Sequence, residues 1–101
     1  MSILHTVNKS PFEKSSLQSC IAHASEGSAL LLYEDGVYAA TKGTSVSDLV
    51  AGVAGVKLYV LGPDLKARGM QEERLIDGVT VVDYTGFVDL AAEYDKVVAW
   101  V

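Results

Sequence analysis

Five short runs of apolar residues alternate along the chain with segments whose apolar positions recur every three or four residues. Three of the runs are almost continuously apolar, which is typical of strands that are covered by helices on both faces of a sheet. The five runs that we predict to be strands are 3–7, 28–33, 57–62, 79–84 and 96–101. Because strands that alternate with helices favour a parallel sheet, the pattern predicts a single small α/β domain over residues 1–101, with three layers and a mainly parallel sheet of about five strands.

Residues that favour helix ends mark the first predicted helix. Ser10 is a candidate N-cap, Pro11 stands at the first helical position and Glu13 follows three residues after the cap. This spacing is typical of a helix start. Gly27 comes after the last apolar position and predicts where the helix ends. The only cysteine of the chain, Cys20, lies on this helix.

Three further helices are predicted from apolar positions at helical spacing. They cover about residues 45–53, 64–69 and 85–94. Asp83 and Thr85 are the candidate caps of the last helix. The apolar faces predicted for the second and fourth helices are Val46, Leu49, Val50 and Val53, and Phe87, Leu90, Ala91 and Tyr94. Segment 33–40 is predicted to form a tight turn at Asp35-Gly36 followed by a short extended piece.

The composition argues against several classes of protein. The chain has 8 basic and 13 acidic residues and a net charge of −5, which disfavours direct binding to nucleic acid. No apolar run approaches the ~20 residues that cross a bilayer, and the first residues do not follow a signal-peptide pattern. One cysteine cannot form an internal disulfide, so we expect a protein of a reducing compartment, and the short apolar runs predict no membrane partner. Half of the residues are apolar, which favours a subunit of a larger assembly.

The sequence leaves two interpretations of Cys20 open. On a helix, its thiol lies within the apolar arc formed by Leu17, Ile21 and Ala24, where a free cysteine usually behaves as a small packed hydrophobe. In the other interpretation, Cys20 carries sulfur as a thiolate, and His23, three residues later, is near enough to lower the thiol pKa. Cys20 is therefore the candidate sulfur carrier, and His23 is the candidate thiolate-stabilising neighbour.

The other motifs point to no metal or cofactor. Two histidines and one cysteine do not follow a metal-binding spacing, and the glycines do not form a phosphate-binding loop. His5, in the first strand, is interpreted as a hydrogen-bonded structural residue. The turn at 62–69 follows the third strand, where α/β sheets bind ligands, so Lys66 and Arg68 could meet an anion there. An ordinary turn with a solvated basic face is the alternative.

Four segments carry a family resemblance. They are "ILHTVNKSPF", "LLLYEDGVYAA", "LYVLGPDLKARG" and "VVDYTGFVDLAAEYDKVVAW", which together span most of the chain. In their order and spacing they resemble the DsrH/TusB family. The presence of Cys20 in the first helix resembles the DsrH branch, because TusB chains typically lack a cysteine.

The resemblance implies a DsrE/F/H-like fold and a place in a cytoplasmic sulfur relay. DsrH-like chains join DsrE-like and DsrF-like chains in a 2:2:2 heterohexamer, which passes persulfide sulfur to a DsrC/TusE-like acceptor during oxidation of stored sulfur. The principal carrier cysteine lies on the DsrE-like chain and has no counterpart here. The alternative is a TusB-like subunit of a TusBCD relay for 2-thiolation of the tRNA wobble uridine.

Three hypotheses follow for this chain. In the first, it is an accessory subunit that stabilises a sulfurtransferase complex and has no chemistry of its own. In the second, Cys20 is a secondary sulfur carrier within that complex. In the third, the chain is a free-standing α/β module that binds a small anion at 62–68.

Overall fold

Five parallel strands form one sheet in the computed structural model, which describes residues 2–10, 16–24, 26–44, 47–52 and 55–100. The strands are β1 (Ile3–Val7), β2 (Ala29–Leu32), β3 (Lys57–Leu61), β4 (Val79–Val82) and β5 (Lys96–Trp100). Their order across the sheet is β4-β3-β2-β1-β5, and each neighbouring pair is parallel. The predicted α/β fold with a parallel sheet of five strands is therefore confirmed, with strand ends shifted by one or two residues.

Helices cover the two faces of the sheet unequally. They are α1 (Ser16–His23), α2 (Ser47–Ala51), α3 (Gly62–Ala67) and α4 (Tyr84–Glu93), with 3₁₀ helices at Glu34–Ala40 and Glu72–Arg74. Leu17 of α1, Val50 of α2 and Leu65 of α3 belong to one large core cluster on one face. Leu90 of α4 packs with Leu4 and other residues in a smaller cluster on the opposite face. The domain thus has three layers, as predicted.

The order of the strands reverses beside β1. From β1 to β4 the chain steps towards one edge of the sheet, through helices that share one face. The connection through α4 then crosses the opposite face and places β5 on the free side of β1. In open α/β sheets the carboxyl ends of strands at such a reversal are the usual place for a ligand or contact site.

The predicted start of the first helix falls mostly outside the described residues, because Pro11 and Glu13 lie in the segment 11–15. Ser10, the predicted cap, is described and is buried. Gly27 has a φ angle of +89°, the left-handed conformation that glycine adopts readily after helices. α1 ends at His23, before Gly27, so the helix is shorter than predicted and Gly27 instead belongs to the turn that leads into β2.

The second helix differs from its prediction. Its described part, α2, is five residues long, and residues 45, 46, 53 and 54 lie outside the described ranges. Val50 is fully buried, whereas Leu49, assigned to the same apolar face, is 41% exposed. The prediction was wrong for Leu49 because one turn of helix presents few positions to the core.

The fourth helix matches its prediction closely. The carboxylate of Asp83 accepts a hydrogen bond of 2.8 Å from the backbone N–H of Gly86, so Asp83 is the cap and Thr85 is not. The four residues of the predicted apolar face all pack in the smaller core cluster. Sequence spacing therefore identifies both the start and the buried side of α4.

Segment 33–40 was predicted wrongly, since it forms a 3₁₀ helix over Glu34–Ala40 instead of a turn and an extended piece. The backbone N–H of Tyr33 bonds to the carbonyl oxygen of Val7 at 3.1 Å, which brings the segment against the end of β1. A Cβ atom on Gly36 would lie 2.2 Å from the same oxygen. This close backbone approach and the burial of Val37 decide the conformation, and neither is visible in local sequence.

Candidate functional site

Cys20 lies in the core, on the side of α1 that faces the sheet. Its side chain is fully buried and belongs to the large core cluster together with Leu17 and Val60. Burial raises the pKa of the Cys20 thiol to about 12, because the thiolate would lose its hydration. The thiol is therefore protonated at neutral pH, whereas sulfur transfer requires a thiolate with access to its partner. This placement agrees with the packed interpretation; a role in sulfur transfer stays a prediction.

His23 is exposed, and its ring contacts the backbone of α1 and the indole of Trp100. Its Nδ1 atom lies 2.7 Å from the carbonyl oxygen of Ser19, and its ring packs against Trp100 at a centroid distance of 5.6 Å. A thiolate-stabilising neighbour would lower the pKa of Cys20, which is instead raised. A role of His23 in thiol chemistry likewise stays a prediction.

The turn at the carboxyl end of β3 is closed by hydrogen bonds within the chain. The guanidinium of Arg68 contacts one carboxylate oxygen of Asp35 through Nη2 at 2.8 Å and through Nε at 3.1 Å. This hydrogen bond is the largest cause of the raised pKa of Arg68. On the neighbouring turn, the backbone N–H of Glu34 donates to the carboxylate of Asp64 at 2.6 Å.

The two carboxylates at this turn make it less favourable for an anion than the sequence predicts. Arg68 is already paired with Asp35, and Asp64 adds a second negative charge nearby. Lys66 remains exposed. A small anion that binds Arg68 would have to displace Asp35 and approach the carboxylate of Asp64, so the geometry favours the alternative of an ordinary strand-to-helix turn.

His5 is bonded on one side only, so the prediction of a satisfied histidine was half right. The indole N–H of Trp100 donates to Nδ1 of His5 at 3.0 Å. The imidazole is 3% exposed, and its Nε2 atom has no hydrogen-bond partner within the described part of the chain. Sequence reasoning missed this contact because 95 residues separate the two side chains.

The described residues offer little else that resembles a reactive site. No group of three or more His, Cys, Asp and Glu side chains among them is arranged to hold a metal ion. Within the described ranges, no helix is both long enough and apolar enough to cross a membrane. A groove of about 620 Å³ beside β4 is lined by apolar Leu65, Met70 and Val81 and by charged Lys66, Glu72 and Glu73.

These features define a small parallel α/β domain that encloses its only thiol and pairs Arg68 with Asp35 at the carboxyl end of the sheet. Residues 9–97 match the family model described as DsrH like protein. The chain is 40% identical over 98 residues to Protein TusB of Pectobacterium parmentieri, which covers 97% of this chain and 100% of that protein. It is 37% identical, with the same coverage, to Protein TusB of Pectobacterium atrosepticum. The chain belongs to the DsrH-like family, and the predicted DsrH/TusB resemblance is confirmed.

The fold also occurs in solved structures. The chain is similar to the ychN protein from E. coli, with a TM-score of 0.83 over 98% of each chain and 21% sequence identity. At this identity the likeness concerns the fold alone. The family membership, in contrast, supports a role as a sulfur-relay subunit that works with other chains.

Proposed function

We propose that this chain is a TusB-like accessory subunit of a cytoplasmic sulfur relay and that it carries no sulfur itself. The observation that supports this proposal most directly is Cys20, the only thiol of the chain, which is fully buried with a pKa of about 12. A persulfide carrier must meet both a donor and an acceptor, so its sulfur has to be accessible. The relatives named TusB favour the TusBCD type of relay, which serves 2-thiolation of the tRNA wobble uridine.

The carrier thiol then belongs to a partner chain. We assign that role to a TusD-like subunit, with a TusC-like subunit completing a 2:2:2 heterohexamer and a TusE-like protein accepting the sulfur. The exposed apolar side chains support a subunit role: Tyr84 and Val88 on α4 are 61% and 67% exposed, and Val97 on β5 is 44% exposed. Apolar surface of this kind is commonly covered in assemblies.

A DsrEFH-type relay in the oxidation of stored sulfur is the second candidate. The presence of Cys20 in the first helix favours it, because this resembles the DsrH branch. The sequence matches to TusB proteins weigh against it. In this candidate too, the burial of the Cys20 thiol supports an accessory role for the chain.

The accessory role is tested by reconstituting the complex from this chain and its two partner subunits. Transfer of sulfur to the TusE-like acceptor is read as the mass gain of one sulfur atom on the acceptor. We expect the Cys20→Ala variant to transfer sulfur at the rate of the unchanged complex. Alanine is preferred to serine here because a buried hydroxyl adds an unpaired polar group.

Omitting the chain is the matched control, and we expect it to prevent assembly or transfer. Loss of transfer by a Cys20→Ala complex that still assembles would assign the sulfur to Cys20 and refute the accessory role. The type of relay is tested separately in a strain without this chain. Loss of wobble 2-thiouridine supports the TusBCD type, and loss of sulfur oxidation with intact 2-thiouridine supports the DsrEFH type.

A further inference from the structure

Three ring side chains meet on the face of the sheet that carries α1, beside the point where the strand order reverses. The indole of Trp100 lies between the imidazoles of His5 and His23, at centroid distances of 6.1 Å and 5.6 Å. We propose that they form a proton-sensitive latch, in which neutral His5 holds the end of β5 against the core and protonated His5 releases it. This role is independent of the proposed sulfur relay.

The hydrogen bond between Trp100 and His5 requires one protonation state. An indole nitrogen is a donor only, so the Nδ1 atom of His5 must present a lone pair to it. The proton of the neutral ring is then on Nε2. A second proton would occupy Nδ1 and would place two N–H donors against each other at 3.0 Å. Protonation of His5 therefore breaks this contact.

The surroundings of His5 do not accept a charge easily. The side chain is only 3% exposed, and its Nε2–H donor has no acceptor among the described residues. Among the described residues, the hydrogen bond from Trp100 is thus the one that holds the imidazole of His5 in place. A charged imidazole at the same position would lose that bond and most of its hydration, so it would have to move towards water.

Trp100 lies on a strand with a free edge. β5 pairs only with β1 in the described part of the sheet, and Trp100 is its last described residue, opposite Val7. The indole is half-buried and packs against the large core cluster. Loss of the His5 contact therefore loosens the carboxyl end of an edge strand, which has fewer neighbours to hold it than an inner strand has.

The elements beside His5 carry few ionisable groups. α1 contributes His23 and the buried Cys20, β5 contributes Lys96, and β2 (Ala29–Leu32) contributes none. Burial is the main cause that lowers the pKa of His5, and the charge of His23 lowers it further. Because the folded-state pKa of His5 lies below the ordinary value of about 6.5, His5 is neutral and the latch is closed at higher pH. The latch opens as the pH falls through the lowered pKa of His5.

The single tryptophan of the chain makes the latch measurable by fluorescence. The full chain is titrated from pH 8 to pH 5 while the emission maximum and acrylamide quenching are recorded. We expect a shift to longer wavelength and stronger quenching, with a midpoint below about 6.5, because the indole becomes exposed to water.

Two variants separate the histidines. His5→Asn keeps an acceptor for the indole without titrating, so we expect the transition to disappear. His23→Gln keeps His5 and removes the nearby charge, so we expect the transition to remain with its midpoint at higher pH. An unchanged transition in His5→Asn, or no transition in the unsubstituted chain, overturns the latch.

A measurement on the unsubstituted chain covers the case in which His5→Asn does not fold. The nitrogen NMR shifts of the His5 ring report which nitrogen carries the proton. We expect an unprotonated Nδ1 at pH 8 and its protonation at the same midpoint as the fluorescence change. A protonated Nδ1 at pH 8, or a midpoint that does not coincide, refutes the proposal.

Discussion

Alkylation of Cys20 by iodoacetamide should be slow in the folded chain and fast in the unfolded chain. The thiolate is the reacting form, and a thiol with a pKa of about 12 is ionised in about one molecule in 10⁴ at pH 8. An unfolded cysteine, with a pKa of about 8.5, is ionised to about a quarter at this pH. The difference in thiolate population is therefore about 2,000-fold.

The higher nucleophilicity of the Cys20 thiolate makes the expected difference in rate smaller than the difference in thiolate population, whereas burial makes it larger. A thiolate of higher pKa is more nucleophilic, and over this pKa difference the gain is roughly 30- to 50-fold, which leaves about a 50-fold slower reaction. Complete burial then blocks the reagent, so modification has to wait for the helix to open. We expect native labelling at least ~50-fold slower than labelling in denaturant.

The assay follows the intact mass of the full chain after timed exposure to iodoacetamide at pH 7, 8 and 9, with and without denaturant. Comparable rates in the two conditions would refute a sealed thiol. A native rate that rises with a midpoint below about 8.5 would indicate an exposed thiolate and would return Cys20 to the role of sulfur carrier. The same measurement on the assembled complex shows whether partner chains change the accessibility of Cys20.

Three further predictions concern stability, measured by chemical denaturation. Because burial raises the pKa of Cys20, the unfolded state ionises first. The free energy of unfolding should therefore fall between about pH 8.5 and 10 by up to ~1.4 kcal/mol per pH unit, and Cys20→Ala should remove this slope. Gly36→Ala should lower the free energy of unfolding by about 3 kcal/mol or more, because the new methyl group would clash with the backbone of Val7. The control is Gly43→Ala, at a φ angle of +75° with no atom within 4 Å of the new Cβ, which should cost about 1–2 kcal/mol through backbone strain alone. Equal losses in the two variants would contradict the clash. Asp83→Ala should cost about 1 kcal/mol as the loss of a helix cap, and a comparable loss in Thr85→Ala would show that the cap is assigned wrongly.

The strands and α4 were predictable because their signals are local. Continuous apolar runs identify parallel strands wherever they lie, and the cap at Asp83 acts within three residues of chain. The 3₁₀ helix at Glu34–Ala40 was missed because its cause is the end of β1, more than twenty residues earlier. Local turn residues at Asp35-Gly36 predict a turn equally well, so only the tertiary contact decides between the two.

The candidate site shows the same division between local and distant causes. Helical spacing placed Cys20 on an apolar arc, and the structure places it in the core. Spacing could not determine the direction of its pKa shift, since that depends on whether the core encloses the thiol or leaves it at an edge. The contact between His5 and Trp100 depends on β5 lying beside β1, a neighbour relation that the strand pattern does not specify.

The contacts of Asp35, Asp64 and Arg68 at the carboxyl end of the sheet bear on the role that this chain has in the proposed relay. In a sheet of this topology, the carboxyl ends of the strands are where a reactive group would meet a substrate. Here Arg68 is paired with Asp35, and Asp64 bonds to the backbone of Glu34. The only thiol of the chain is enclosed in the core as well, so it is not presented at that edge. In the proposed accessory role, the chain affects sulfur transfer through the surfaces that its partners touch, so variants that alter transfer should also alter assembly.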